Sequence, residues 1–271
     1  MAVASTILGS LNRVYAMLLR YLYLLRGSWP RVLEQAYWPT VQMIIWGFIT
    51  QFMAGQVTWV AQAAGVFIAA VLLWDVVFRS QLGVFVVFLE EIYARNLAQL
   101  FVSPLRPWEM VAGLLLISML RTLIGIGAAA LLAIPFFGYS IFGLGLPLVG
   151  FFANLLAFGW SMGLIVSALL LRYGLGAESI AWASIFALAP ISGIYYPIET
   201  LPAWLQPVAW LLPTAHVFEG MRSVMFTQTF HLAHMLWAVG LNLAFLGIGV
   251  GVFLWTFRIA RERGLLLQQG E

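Results

Sequence analysis

Long apolar runs without a formal charge, separated by short arginine-bearing stretches, restrict this chain to a helical fold solvated by lipid. Apolar side chains make up 63% of it and charged ones 8%, against roughly 25% charge in soluble domains. Such a chain carries more apolar surface than it can bury in itself, so a bilayer must be its main solvent. Its 271 residues read as one all-α transmembrane domain, 1–271, with no soluble appendage. All 13 basic residues are arginines. A Gly-rich phosphate loop needs its lysine, so ATP hydrolysis by this chain itself is not expected. The absence of cysteine excludes disulfides, thiolate metal sites and a cysteine nucleophile.

Setting the apolar runs against the arginines gives six spans. The first covers about Trp38 to Gln56 and the second about Trp59 to Phe78, with an uncharged junction between them. Arg79 marks the return, and a charged break over 80–108 holds Glu90, Glu91, Arg95 and Arg106. The third runs from about Glu109 to Phe137. After the uncharged turn Gly138 to Gly145 the fourth reaches about Leu171; the fifth covers Ala177 to Ile194 and the sixth His234 to Phe257. The spans thus occupy 38–257, and a basic tail, 258–271, closes the chain. All arginines but Arg121 and Arg222 then share one side, which the positive-inside bias makes the cytoplasm, with both termini there. Scattered beside spans in this way, the arginines are not a nucleic-acid signal. Arg13, Arg20 and Arg26 interrupt any leader-like apolar core, so a cleavable signal is not expected.

Two further segments are not spans. Within residues 1–30, Ile7, Leu8, Leu11, Val14, Tyr15, Leu18, Leu22 and Leu25 recur at helical spacing, and Arg13 and Arg20 share a polar stripe. This predicts an interfacial helix with its arginines toward lipid headgroups. The stretch from Tyr195 to Phe230 is rich in proline (Pro197, Pro202, Pro207, Pro213) yet apolar through Trp204, Leu205, Val208, Trp210 and Leu211. Two short helices broken at Pro213 fit it, dipping into the outer leaflet against the other spans. Glu199, Glu219 and Arg222 are placed to organise that segment, the last two one turn apart.

Ionisable groups inside spans need partners. Asp75 precedes Arg79 by four residues, the spacing of an intrahelical pair. Arg121 lies about 18 Å into span three and its partner is not legible. His231 and His234 share a helical face but have no third ligand nearby, so no metal site is expected. The 12 tryptophans and nine tyrosines read mostly as interfacial belts, with Trp160, Tyr195 and Tyr196 as candidates for lining a path.

The charged break reads Glu90-Glu91-Ile-Tyr-Ala-Arg95-Asn96-Leu97-Ala-Gln-Leu100-Phe101-Val-Ser103-Pro104-Leu105. Ile92, Leu97, Leu100 and Phe101 form one apolar helical face, and Pro104 ends the helix. A short helix held between two spans suits a lever for a cytoplasmic partner as well as it suits a plain interfacial tie. The pattern of two acids followed by Arg-Asn-Leu-x-x-Leu-x-x-Ser-Pro-Leu-x-x-x-Glu resembles the coupling region of type 2 ATP-binding-cassette (ABC) exporter permeases. Ser192-Gly193-Ile-Tyr-Tyr-Pro197-Ile-Glu199-x-Leu201-Pro202-x-Trp204-Leu205, continuing to Leu212-Pro213-x-x-His216-x-x-Glu219-x-x-Arg222, is similar to that family's external re-entrant helices before the last span.

The resemblance implies a homodimeric conduit in a bacterial inner membrane, each copy binding a separate ABC ATPase subunit, two in all. ATP and Mg would be bound by that subunit, and no cofactor by this chain. It implies Glu90, Glu91, Arg95, Asn96, Leu97 and Leu100 as ATPase-coupling contacts, and Pro197, Glu199, Pro202, Pro213, Glu219 and Arg222 as the external gate. Arg13, Arg20 and Arg121 are the candidates for a substrate path or for lipid headgroups. The cargo implied is a lipid-linked glycan, a lipid or another amphiphile. An autonomous ion-coupled transporter or channel is the alternative, and a lipid-modifying or sugar-modifying membrane enzyme a third reading. The first should show several mid-span acids or histidines and the second a convergent acid–base pair. Adjacent Glu90 and Glu91 diverge on a helix.

Overall fold

The computed structural model describes residues 2–54, 58–94 and 96–262. Every regular element among them is a helix: α1 (Ala2–Arg26), α2 (Trp29–Ala54), α3 (Thr58–Tyr93), α4 (Leu97–Val102), α5 (Pro107–Phe137), α6 (Leu146–Tyr173), α7 (Glu178–Leu188), α8 (Gln206–Trp210), α9 (Pro213–Thr227) and α10 (Leu232–Glu262). Four are long and apolar enough to cross a bilayer: α3 from Gly65, α5, α6 and α10. The expected all-α integral membrane architecture is what the structure shows. Two of the six expected spans fall short of that criterion. The 26 residues of α2 are long enough but carry Arg31, Glu34, Gln35 and Pro39 in their first half. The apolar unit Glu178–Ile191, which is α7 plus a 3₁₀ turn, rises only about 20 Å.

The second span departs most from expectation. Arg79 does not end it; the helix continues to Tyr93, so Glu90 and Glu91 ride on α3 rather than on a separate cytoplasmic segment. The physical reason is that Asp75 offsets the charge of Arg79 and the next polar side chains bond within the bundle. Arg79 sits one turn after Asp75, Ser80 Oγ donates to the carbonyl of Val76 at 2.6 Å, and Gln81 Nε2 donates to Ala181 O and Ser184 Oγ, both at 3.0 Å. Beyond them Val84, Phe85, Val87, Phe88 and Leu89 are buried. The sixth span is likewise longer than expected: α10 begins at Leu232 and carries Arg258 and Arg261 of the expected tail.

At the centre stands α6, with α3 on one side and α10 on the other, brought close by small residues. A Cβ on Gly159 would overlap Ser80 Oγ and lie 2.7 Å from the Val77 carbonyl, and one on Gly163 would lie 2.8 Å from the Gln81 carbonyl. On the opposite face Gly249 of α10 comes as near to the Ser161 carbonyl. This is helix association through close backbone approach. Polar bonds lock it: Ser118 Oγ to Ser80 O at 2.9 Å, Trp160 Nε1 to Ser118 Oγ at 3.2 Å, and Asn242 Nδ2 to Asn154 Oδ1 at 2.8 Å. The core falls into two apolar halves. One is built around Leu73, Val77, Phe151, Phe158 and Phe218, the other around Tyr21, Phe85, Phe88, Leu114 and Phe253. Along α3, Arg79, Ser80 and Gln81 lie between the two halves.

Candidate functional site

One end of the bundle gathers the paired charges. The buried face of α1 is Ser10, Val14, Met17, Tyr21 and Leu25, whereas Leu8, Leu11 and Tyr15 are exposed. Arg13 and Arg20 turn inward, which corrects the expected headgroup orientation. Arg13 holds Glu109 with Nε and Nη2 at 2.8 and 2.7 Å. Arg20 holds Glu91 with two 2.8 Å contacts. Two-pronged arginine–carboxylate forks are among the strongest polar contacts. Here each carboxylate is sealed by protein, with side-chain exposures of 0% for Glu109 and 3% for Glu91. A sealed carboxylate without a cation is costly, so it claims the arginine ahead of a headgroup. Glu109 also accepts from the Arg106 backbone N–H at 2.9 Å, capping α5 where Pro107 starts it.

Arg121, whose partner sequence did not name, is buried on α5 with Nη2 3.6 Å from Glu90 Oε2. Glu90 and Glu91 therefore tie α5 and α1 to the end of α3. Of the other expected coupling residues, Arg95 lies outside the described residues. Asn96 caps α4 through its carbonyl, which accepts from the Leu100 N–H at 3.0 Å. Leu97 is buried in the adjoining core and Leu100 is half-buried. Ser103 Oγ closes α4 on the Leu100 carbonyl at 2.6 Å. Among the described side chains of α4 and the stretch after it, Gln99, Pro104, Arg106 and Trp108 are exposed. From the same end of α3, the Tyr93 hydroxyl reaches Glu178 at the start of α7 at 3.2 Å.

The opposite end is capped by α8 and α9, and the helix break falls at Pro213, as the sequence predicts, because proline fits the first turn of a helix. Glu219 and Arg222 pair at 2.8 Å. Glu219 also accepts from the Ile198 N–H at 2.8 Å, and Arg222 donates to the Gly193 carbonyl at 2.7 Å. Together they pin the turn that contains Pro197. Gly193 has φ +62°, and a Cβ there would meet Ile198 at 2.6 Å, so the turn requires glycine. Pro202 starts the next turn, its carbonyl accepting from Leu205 N–H at 2.8 Å. Glu199 joins only through its carbonyl, which Gln206 approaches at 3.3 Å. Replacing Arg222 with methionine should cost about 2–3 kcal/mol, the worth of hydrogen bonds to a charged group. Exposed Glu199→Gln should stay within about 0.5 kcal/mol. Thermal unfolding in detergent reads both, and equal midpoints would deny the Arg222 clasp.

Beside it lies an aromatic and histidine cluster that sequence spacing only half revealed. His234 meets His216, Nδ1 to Nδ1 at 3.3 Å, and His231 lies next to it. His216 Nε2 is 3.0 Å from the Trp210 carbonyl, and burial pushes His216 below the ordinary histidine range. Among the described residues no three metal-ligating side chains converge. Tyr195 stacks on Trp46 of α2 at 4.4 Å, and burial, with Asp75 nearby, pushes its phenol up to about 12. The Tyr196 hydroxyl donates to the Pro190 carbonyl, and Trp160 serves as an interhelical donor. Sequence reasoning missed the α6 stripe, although Gly159-Trp-Ser-Met-Gly163 has the small-x-x-x-small spacing that marks close helix contact.

The described residues thus form an all-helical integral membrane bundle with the short helix α4 between α3 and α5 and a proline-broken cap before α10. The chain matches the ABC-2 type transporter family over residues 20–226 and belongs to it. The matched stretch runs from within α1 to near the end of α9. It is 30% identical over 140 residues to the probable multidrug ABC transporter permease YbhR of Escherichia coli strain K12. The protein of the same name in Escherichia coli O157:H7 matches equally. The matched segment is 48% of this chain and 35% of that relative, so the chain spans about a third of the length of the curated relatives it matches.

Proposed function

We propose that the chain is one half of a homodimeric export permease of the bacterial inner membrane, with both termini cytoplasmic. It passes a lipid-linked glycan, a lipid or another amphiphile outward, and the relatives' multidrug designation adds amphiphilic drugs to that range. ATP and Mg are handled by a separate ATPase subunit present in two copies. In this reading α2 and the α7 unit complete six crossings. The observation that carries it is the fastening of α1, α3 and α5 at the α4 end by Arg13–Glu109, Arg20–Glu91 and Arg121–Glu90. A push on α4 is then delivered to three helices at once. Glu90 and Glu91 transmit that push through their intramolecular partners, while Asn96, Leu97 and Leu100 seat α4 and Gln99 and Pro104 face the ATPase. Pro197, Pro202 and Pro213, with the Glu219–Arg222 clasp, form the outer gate.

A cysteine-free chain makes this directly testable, because any introduced cysteine is the only one. Gln99→Cys should be labelled by an impermeant maleimide only from the cytoplasmic side and should crosslink to a co-expressed ABC ATPase. Trp204→Cys should label only from outside. Outside labelling of Gln99→Cys removes the proposal, since no motor would reach α4. The ion-coupled alternative draws on one observation: buried Asp75 has an oxygen, Oδ2, without a hydrogen-bond partner. Gradient-driven uptake by the chain reconstituted without any ATPase would favour it.

A further inference from the structure

At the α4 end, α5 and α10 part and leave a groove of about 650 Å³ whose walls include Pro107, Trp108, Leu254, Phe257, Arg258 and Arg261. A small recess adjoins it, into which Arg106 and Arg261 both face, floored by Leu100, Leu105 and Met110. α10 packs chiefly on α6 and touches α5 sparsely, so no described helix fills the crevice. Its chemistry is divided along the membrane normal. Leu254 lies about two turns inside the end of α10, toward the acyl chains. Arg261 stands in the last turn of α10, Arg258 one turn before it and Arg106 just ahead of α5, toward the headgroups and beside Trp108, which is 49% exposed as interfacial tryptophans are.

Charge decides among occupants. Among the described residues three arginines face one carboxylate, Glu262, which is engaged with Arg258 at 2.9 Å. Arg106 and Arg261 have no ion-pair partner among the described residues. We infer that this groove is a binding site for an anionic phospholipid, its phosphate held by Arg258, Arg261 and Arg106 and one acyl chain lying between α5 and α10 against Leu254. Basic recesses between spanning helices are suited to such headgroups. The site is distinct from the outward path under "Proposed function", and it holds for this chain whatever its cargo.

Native mass spectrometry of the full chain, with phosphatidylglycerol or phosphatidylcholine of the same acyl chains added, tests this. Phosphatidylglycerol should be retained at about tenfold lower concentration than phosphatidylcholine. Arg258→Gln with Arg261→Gln should abolish that difference, with an unchanged unfolding midpoint because both side chains are exposed. Leu254→Trp, which keeps the charges and fills the groove, should weaken phosphatidylglycerol retention as well. Equal retention of the two lipids by the native chain overturns the inference, as does undiminished selectivity in the double variant. Displacement by millimolar inorganic phosphate would show a simple anion site and overturn it too. Selectivity seen only in a chain ending at Glu262 would assign the groove to residues 263–271 instead of lipid.

Discussion

Valine at position 159 should abolish the folded bundle or leave it with a sharply lowered unfolding midpoint. The β-carbon would enter the space of Ser80 Oγ and lie 2.7 Å from the Val77 carbonyl. The hydroxyl can rotate, but the carbonyl is α3 backbone and yields only if the helices separate. Separation is not local, because α6 is pinned on its other face by Gly249 against the Ser161 carbonyl and by Asn154 to Asn242. Overpacking a well-filled interior costs about 1–3 kcal/mol, and valine adds two further methyl groups to a contact already closed to one carbon. Alanine should be partly tolerated and valine should exceed that range. Gly127 is the control, since a Cβ there meets nothing within 4 Å. Its replacement by alanine should be neutral or stabilise by up to about 1 kcal/mol. A Gly159→Val protein that elutes as a single species and melts with the native chain would refute the α3–α6 contact.

That contact marks the boundary of what sequence could say. Apolar runs located α5, α6 and α10 because their charges are confined to Arg121 and to the helix ends, and Pro213 located the α8–α9 break because proline's missing N–H is local chemistry. The end of α3 was not legible. A charge in a hydropathy pattern reads as a boundary, yet Arg79 is offset by Asp75 on its own helix, and Glu90 and Glu91 by Arg121 and Arg20 far away in sequence. The same non-local pairing hid the orientation of α1: spacing put Arg13 and Arg20 on one stripe but not what the stripe faced. Glu219 with Arg222 was visible because its partners are one turn apart, while their bonds to Ile198 and Gly193 span loops that no periodicity encodes. His216 was read only as part of the re-entrant motif for the same reason, since it meets His234 across two helices.

Cutting the α1–α3 fork should produce unequal losses depending on which side is removed. Arg20→Ala leaves Glu91, with 3% of its side chain exposed, as a sealed carboxylate without a cation. Breaking a fully buried pair costs about 3–5 kcal/mol, and because Arg20 itself retains 34% side-chain exposure, solvent screening brings the expectation down to about 2 kcal/mol. Glu91→Ala leaves an arginine that can swing to water or to a phosphate headgroup, so about 1 kcal/mol or less is expected. Replacing both by leucine removes the desolvation penalty with the attraction and should return most of the stability. Transport separates structural from mechanical roles. If the fork relays motion from α4 into α1, the double leucine variant melts near the native midpoint yet loses most ATPase-driven export, and the reversed pair Arg20→Glu with Glu91→Arg recovers part of it. Export that follows stability alone across this series would reduce the fork to a fastening and move the relay to Arg121–Glu90, where an analogous Arg121→Met and Glu90→Met series then carries the same test.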